Sequence, residues 1–277
     1  MAVGIITGSG THTLPGFTVA RAEQVETPFG AAEVVRGELA GGEGREGFEV
    51  LHVSRHGAGH ARLSHQVPHR ANVWALRELG ADAVIGCTAC GAVDRALSLG
   101  SLVVFDDLWF ASNRLSDGSL CTFFVDEGDR RRGHWILQGG PFSPGVRAAL
   151  AAGAAAAGVP VSGYGVYGHV DGPRFNTPVE IAQLAALGVT AVSQTGGPEA
   201  VLCGELELPY ALIGFVTDYA NGVSPGEPTP VDTLARLLGE SSAAFAAVLQ
   251  PAVRWLNASG RLGSLEPGGV MYRFEQG

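Results

Sequence analysis

The 277-residue chain is poor in charge: 16% of its residues are Asp, Glu, Lys or Arg, with a net charge of −9 at pH 7. That balance excludes nucleic acid or an anionic membrane as the main partner, because either would repel it. A small anionic substrate stays compatible if basic residues gather locally. Long apolar runs are missing too, and none reaches the ~18 residues that a membrane span needs. The N-terminal stretch MAVGIITGSG lacks the charged region of a secretory leader and reads directly into a strand. Cysteine is scarce. Cys87, Cys90, Cys121 and Cys203 are too few for a disulfide scaffold, so reduced thiols and a cytoplasmic setting are expected.

Several catalytic signatures are absent as well. Gly8-Ser9-Gly10 follows the first apolar run, but Thr13 stands where a dinucleotide fingerprint has its third glycine. No H-E-x-x-H occurs. The segment from His56 to His69 holds four histidines, with His60 and His65 between, and His56 and His60 have i, i+4 spacing. Gly57 and Gly59 lie between that pair and argue against a helix that could present both to a metal. There is no G-x-S-x-G elbow, and neither Ser9 nor Ser193 has an evident triad partner. Cys87-Thr88-Ala89-Cys90 is formally C-x-x-C, but Cys87 lies inside an apolar run, whereas a redox pair opens a helix at an exposed turn. It reads as core.

What is present is apolar and finely punctuated. Hydrophobic residues make up 46% of the chain, and 41 glycines are spread along it. Buried strands are expected at Val3–Thr7, Ala32–Arg36, Phe48–Ser54, Ala83–Cys87, Leu102–Phe105, Ser162–Val170, Val189–Ser193 and Tyr210–Val216. Helices are expected over Arg70–Leu79, Val146–Ala157, Pro178–Leu187, from Pro198-Glu199 onward, and over Thr229–Leu256. Loops are expected at Gly37–Gly47 and Arg114–Gly133, with the charge run Asp126–Arg132 in solvent. Strands alternate with helices, which predicts one α/β domain over residues 1–277.

The informative stretch is Val189–Asn221, read as strand, turn, helix, strand. Thr195 follows the first strand and Asp218 the last, where open α/β sheets place ligand-binding groups. Ser9, Arg55-His56 and Thr88-Ala89 are donors at other expected strand ends, and such a set suits a tetrahedral oxyanion. Taken singly, each is as well explained as an ordinary polar turn residue. Phe175, on a turn, suits stacking on a flat ligand or plugging the core. Asp218 is either a cap or an acid facing a ring nitrogen.

Together these residues resemble the trimeric nucleoside phosphorylases, in particular the methylthioadenosine phosphorylase branch. The resemblance rests on Gly4-Ile5-Ile6-Thr7-Gly8-Ser9-Gly10, Thr27-Pro28-Phe29-Gly30, Arg55-His56-Gly57, Ala71-Asn72-Val73-Trp74-Ala75-Leu76, Thr88-Ala89-Cys90-Gly91, Gly172-Pro173-Arg174-Phe175, Pro198-Glu199 and Thr217-Asp218-Tyr219. It covers nearly the whole chain. It implies a three-layer α/β/α fold around a central twisted mixed sheet, and a homotrimer in which a neighbouring subunit completes the 5′ site, with His134 or Trp135 as candidates. It implies cleavage of a purine N-glycosidic bond by inorganic phosphate, in purine and methionine salvage, with no metal or organic cofactor. Phosphate contacts would come from Ser9, Arg55, His56, Thr88, Ala89 and Thr195. Phe175 and Asn176 would lie beside the base, Gln194 by the ribose, Asp218 on the purine as catalytic acid, and Val231 and Leu234 at an apolar 5′ site.

Three positions depart from that pattern. Ala220 stands where the adenine-specific branch has a second carboxylate, Gln194 replaces the usual methionine, and Asn176 is atypical beside the base. S-methyl-5′-thioadenosine is the expected substrate. The alternatives are a 6-oxopurine phosphorylase acting on 5′-methylthioinosine or inosine, and a non-catalytic nucleoside-binding homologue.

Overall fold

The computed structural model describes residues 2–9, 14–39, 47–126, 129, 131–224 and 228–273. In chain order come β1 (Ala2–Thr7), β2 (Phe17–Thr27), β3 (Gly30–Leu39), β4 (Phe48–Ser54), α1 (His69–Glu78) and β5 (Ala81–Ala92). Then follow β6 (Leu102–Val104), β7 (Asp107–Trp109), β8 (His134–Ile136), α2 (Pro144–Ala157), β9 (Val161–Ser162), β10 (Val166–His169) and α3 (Pro178–Ala186). The chain ends with β11 (Val189–Ser193), α4 (Gly196–Glu205), β12 (Tyr210–Tyr219), α5 (Val231–Asn257) and β13 (Val270–Tyr272).

Among the described residues eleven strands form one mixed sheet in the order β2-β3-β4-β1-β5-β11-β10-β7, and β12, β6 and β9 branch from β5. β1 is fully buried and pairs in parallel with β4 and β5, as its unbroken apolar sequence requires. β5 is the fork. Its first half pairs with β1, its last two residues pair with β11, and nearly all of it pairs with β12 on the other edge. The ends of β1, β4, β11 and β12 therefore converge on the second half of β5.

One apolar cluster packs β1, β5 and β12 against α2 and α5, and another packs the opposite side of the sheet against α1 and α4. The α2–α5 crossing is close because Gly153 has no side chain; a Cβ there would lie 2.5 Å from the Val248 carbonyl oxygen and 2.9 Å from the Ala252 nitrogen. Local signals set the helix ends. Ser143 caps α2, which stops at left-handed Gly158, and Thr177 and Glu180 form a capping box at the start of α3. Among the described residues no helix is long and apolar enough to cross a membrane.

Most expected elements are where the pattern puts them, and β4 matches to the residue. The differences are instructive. Thr88-Ala89-Cys90-Gly91 is not a turn but the interior of β5, paired with β12 at Gly214↔Thr88 and Phe215↔Ala89. Asp218 likewise lies inside β12, after a register shift between Val216 and Asp218. Ser162–Val170 divides into β9 and β10, and Gly37–Leu39 of the expected loop belongs to β3, whereas 40–46 lie outside the described residues. β2 has no core-facing run, because most of its residues are exposed, and only pairing with β3 makes it a strand. Parts of the charge run (127, 128 and 130) also lie outside the described residues, as do 10–13. Within that run Arg131 pairs with Asp129 and lies over the Trp74 ring. The cysteine reading holds: Cys87 and Cys90 are buried in β5, and burial pushes the Cys87 thiol up to about 12.

Candidate active site

A cavity of about 270 Å³ opens where the strand ends meet β5. One end of it is rich in donors. Ser9, Arg55, His56, Thr88, Ala89 and Thr195 all line it, although they come from four separate segments. β1 delivers Ser9 just past its end. β4 delivers Arg55, whose backbone N–H donates to the Thr7 carbonyl at 3.0 Å. Gly8 has no side chain to block the guanidinium; a Cβ there would sit 2.5 Å from Arg55 Nη1.

The Arg55 side chain is 1% exposed and held on two sides. Nε and Nη2 donate to the Glu199 carboxylate at 2.7 and 2.8 Å, and Nη1 donates to the Cys87 carbonyl at 2.6 Å. Tyr210 Oη donates to the same carboxylate at 3.0 Å. A guanidinium has five N–H groups, so the remainder stays available to an anion in the cavity. Glu199 is a residue whose role sequence reasoning missed. Its signal was a lone acid inside the apolar run of α4, immediately after Pro198.

His56 is held differently. Its Nδ1 lies 2.9 Å from the Arg62 carbonyl oxygen, which can only accept, so Nδ1 carries the hydrogen. Burial, the Arg55 charge and, to a lesser extent, the charge on His60 lower its pKa to about 4, against the opposing Arg62 hydrogen bond. At neutral pH its Nε2 is therefore an acceptor, suited to a P–OH hydrogen, rather than the extra donor expected. Thr88 Oγ1 and Ser193 Oγ are 2.9 Å apart, which ties β5 to the end of β11. Thr195, 4% exposed, is the N-cap residue of α4 and spends no side-chain hydrogen bond on capping. The first N–H of that helix, on Gly196, donates to Tyr167 Oη at 3.0 Å, so the helix start contributes its positive dipole end beside Thr195.

The other end carries one carboxylate. Asp218 Oδ1 accepts from Thr217 Oγ1 at 2.8 Å. Burial raises the Asp218 pKa above the usual range, and the Thr217 hydrogen bond opposes the shift only in part. Gly91 leaves it room, since a Cβ there would approach Asp218 Oδ2 to 3.0 Å. Ala220 and Asn221 line the wall beyond, and Asn221 Nδ2 donates to the Asn176 carbonyl at 2.7 Å. Phe175 is 60% exposed at the mouth, and Gln194 lies between the two ends.

Of the residues that the sequence places in this subunit's own part of the site, Val231 alone stays outside. It is 77% exposed and does not line the cavity, whereas Leu234 and Leu238, one turn apart on α5, do. Val231 shares their face (i, i+3 and i+7), but it is the first residue of α5 and lies a turn ahead of the pair that lines the cavity. Neither His134 nor Trp135 lines this subunit's cavity; Trp135, on β8, donates through Nε1 to the carbonyl of Gly268, just ahead of β13. Ser64, Ser193, Leu238 and Asn221 line it without having been expected.

The phosphorylase superfamily model matches residues 2–254. An S-methyl-5′-thioadenosine phosphorylase of Mycolicibacterium smegmatis is 39% identical over 229 residues, covering 82% of this chain and 80% of the relative. A probable S-methyl-5′-thioinosine phosphorylase of Pseudomonas syringae is 36% identical (88% and 97% covered), and a probable 6-oxopurine nucleoside phosphorylase of Thermococcus kodakarensis 34% (92% and 92%). Among solved structures, methylthioadenosine phosphorylase of Schistosoma mansoni in complex with adenine superposes with a TM-score of 0.81 at 28% identity, covering 95% of this chain and 96% of that one.

Proposed function

Because this chain belongs to the phosphorylase superfamily, we propose that it cleaves the N-glycosidic bond of a purine nucleoside with inorganic phosphate, with S-methyl-5′-thioadenosine as first substrate. The observation that carries this reading is a single cavity with oxyanion donors at one end and one buried carboxyl, that of Asp218, at the other. Phosphate binds Ser9, Arg55, Thr88, Ala89 and Thr195, with His56 accepting its P–OH hydrogen. The departing purine gains negative charge and needs a proton at N7. A carboxyl whose pKa is raised by burial holds that proton more readily than an exposed one, so Asp218 combines general-acid with electrostatic catalysis. Phosphate is the co-substrate, and the reaction needs no metal or organic cofactor. Residues 1–277 act as one domain, in a cytoplasmic homotrimer whose neighbouring subunit completes the 5′ site.

Leu234 and Leu238 favour a 5′-alkylthio substituent, which gains about 0.8 kcal/mol per CH₂-sized unit buried, over a 5′-hydroxyl that would find no partner there. A second reading, a 6-oxopurine substrate such as 5′-methylthioinosine, is favoured by Ala220. Asp218 is the lone carboxylate of the cavity lining; its protonated form can donate to a 6-oxo group, and it can also accept from a 6-amino group. Chromatography of products from 5′-methylthioadenosine and 5′-methylthioinosine, each with and without phosphate, separates the two. Phosphate-dependent adenine release is the expected result. Hypoxanthine release alone transfers the enzyme to the 6-oxopurine class, and tight binding without turnover supports a non-catalytic homologue.

A further inference from the structure

Gln194 follows β11 and lines the middle of the cavity. Its side-chain amide is used from both ends. Oε1 accepts from Ser64 Oγ at 2.8 Å, and Nε2 donates to the Arg174 carbonyl at 3.0 Å. Ser64 belongs to the irregular segment between β4 and α1, and Arg174 to the turn between β10 and α3. Both segments border the cavity through Leu63, Pro173 and Phe175. Gly172 is what lets the three groups meet, since a Cβ there would run into both Gln194 Oε1 and Ser64 Oγ.

The turn has other anchors, all on its α3 side. Asn176 Nδ2 donates to Glu180, the Arg174 guanidinium pairs with Glu180, and Asn221 donates to the Asn176 carbonyl. On the side facing Ser64, the Gln194 amide provides the hydrogen bond. Phe175 is too exposed for packing to hold it, so its position depends on the backbone that carries it. The donor end is fastened independently, Arg55 by Glu199 and Thr88 by Ser193.

We infer that Gln194 is a positioning residue, a latch that ties the Leu63–Ser64 segment to the Gly172–Phe175 turn and so holds Phe175 over the nucleoside half of the cavity. It acts on nucleoside binding and leaves phosphate binding alone. An apolar side chain of similar length would fill the same volume and tie neither segment. This inference rests on the phosphorylase reading for its kinetic consequence, but not for its structural one.

The test uses Gln194→Leu, Ser64→Ala and the double variant in the full chain. Initial rates are measured with nucleoside and phosphate varied in turn, and amide hydrogen exchange is followed across residues 172–177. Gln194→Leu is expected to raise the nucleoside KM about tenfold, as loss of two hydrogen bonds would, with the phosphate KM changed less than about twofold. Ser64→Ala should cause a smaller rise. The double variant should be no worse than Gln194→Leu alone, because the two residues share one interaction. The turn amides should exchange about tenfold faster in Gln194→Leu. An equal rise in both KM values, multiplicative effects of the two substitutions, or unchanged exchange overturns the latch. If the parent protein shows no phosphate-dependent cleavage, the functional reading fails, while hydrogen exchange in Gln194→Leu still decides the latch.

Discussion

Replacing Glu199 by Gln removes one charge from a pair that water does not reach. The Arg55 and Glu199 side chains are 1% and 2% exposed, and two short hydrogen bonds join them. The loss therefore differs in kind from breaking a surface pair, which costs about 0–1 kcal/mol. Here the guanidinium stays buried, keeps its charge, and faces an amide whose N–H groups repel its own. Breaking a buried pair from one side costs about 3–5 kcal/mol. For a chain of this size that is a fall in Tm of roughly 6–20 °C. Tyr210→Phe removes only the third hydrogen bond to the carboxylate and should cost about 1 kcal/mol, or roughly 2–4 °C. Replacing both charges with apolar residues of similar volume, Arg55→Met with Glu199→Leu, should restore much of the stability lost in Glu199→Gln, because neither charge is then stranded. The assay is thermal unfolding at one fixed protein concentration, since any self-association shifts Tm by mass action. If Glu199→Gln melts within about 2 °C of the parent, or the double variant melts well below the single one, the buried-pair argument is refuted.

Other outcomes follow from the same geometry. Gly153→Ala should lower Tm even though alanine favours helices by about 1 kcal/mol, because the added methyl meets the Val248 carbonyl and overpacking costs about 1–3 kcal/mol; a rise in Tm would show that α2 and α5 can separate freely. His52 and His56 are held neutral, with pKa values lowered by burial from 6.5 to about 4, and His169 is lowered further to about 3. Between those values the unfolded chain binds more protons than the folded one, so unfolding free energy should decrease steadily as pH falls from 6.5 to 4, and a flat urea-unfolding profile there would contradict this. Asp218 has the opposite sign: its raised pKa means that the folded state holds the proton longer, so its carboxylate costs stability as pH rises above the usual carboxylate range. Asp218→Asn should therefore leave Tm at neutral pH unchanged or raised, while lowering kcat/KM by about 10²–10⁴-fold in a base-release assay; unaltered turnover would remove Asp218 from the chemistry.

Much of this molecule was legible in local pattern. β1 is buried throughout and β4 and β11 largely so, and they read as short apolar runs with few polar interruptions; the helices declare themselves through spacing and caps at Ser143 and Thr177. The residue strings around Ser9, Arg55, Thr88, Phe175, Thr195 and Asp218 were enough to suggest the family and to name most of the cavity wall. Pattern failed where a residue's state depends on a distant partner. Thr88–Gly91 has turn-like composition, yet it is strand, because β12 and β11 arrive from more than a hundred positions away to satisfy its backbone. β2 is polar and becomes a strand only by pairing with β3. The same holds inside the site. Arg55 and Glu199 are 144 positions apart, and Ser64 and Gln194 130, so no window along the chain contains either interaction. Composition and periodicity record what a segment prefers to bury. Which carboxylate neutralises which guanidinium, and which amide spans the cavity, was decided when the sheet closed around β5 and brought those side chains within hydrogen-bonding reach.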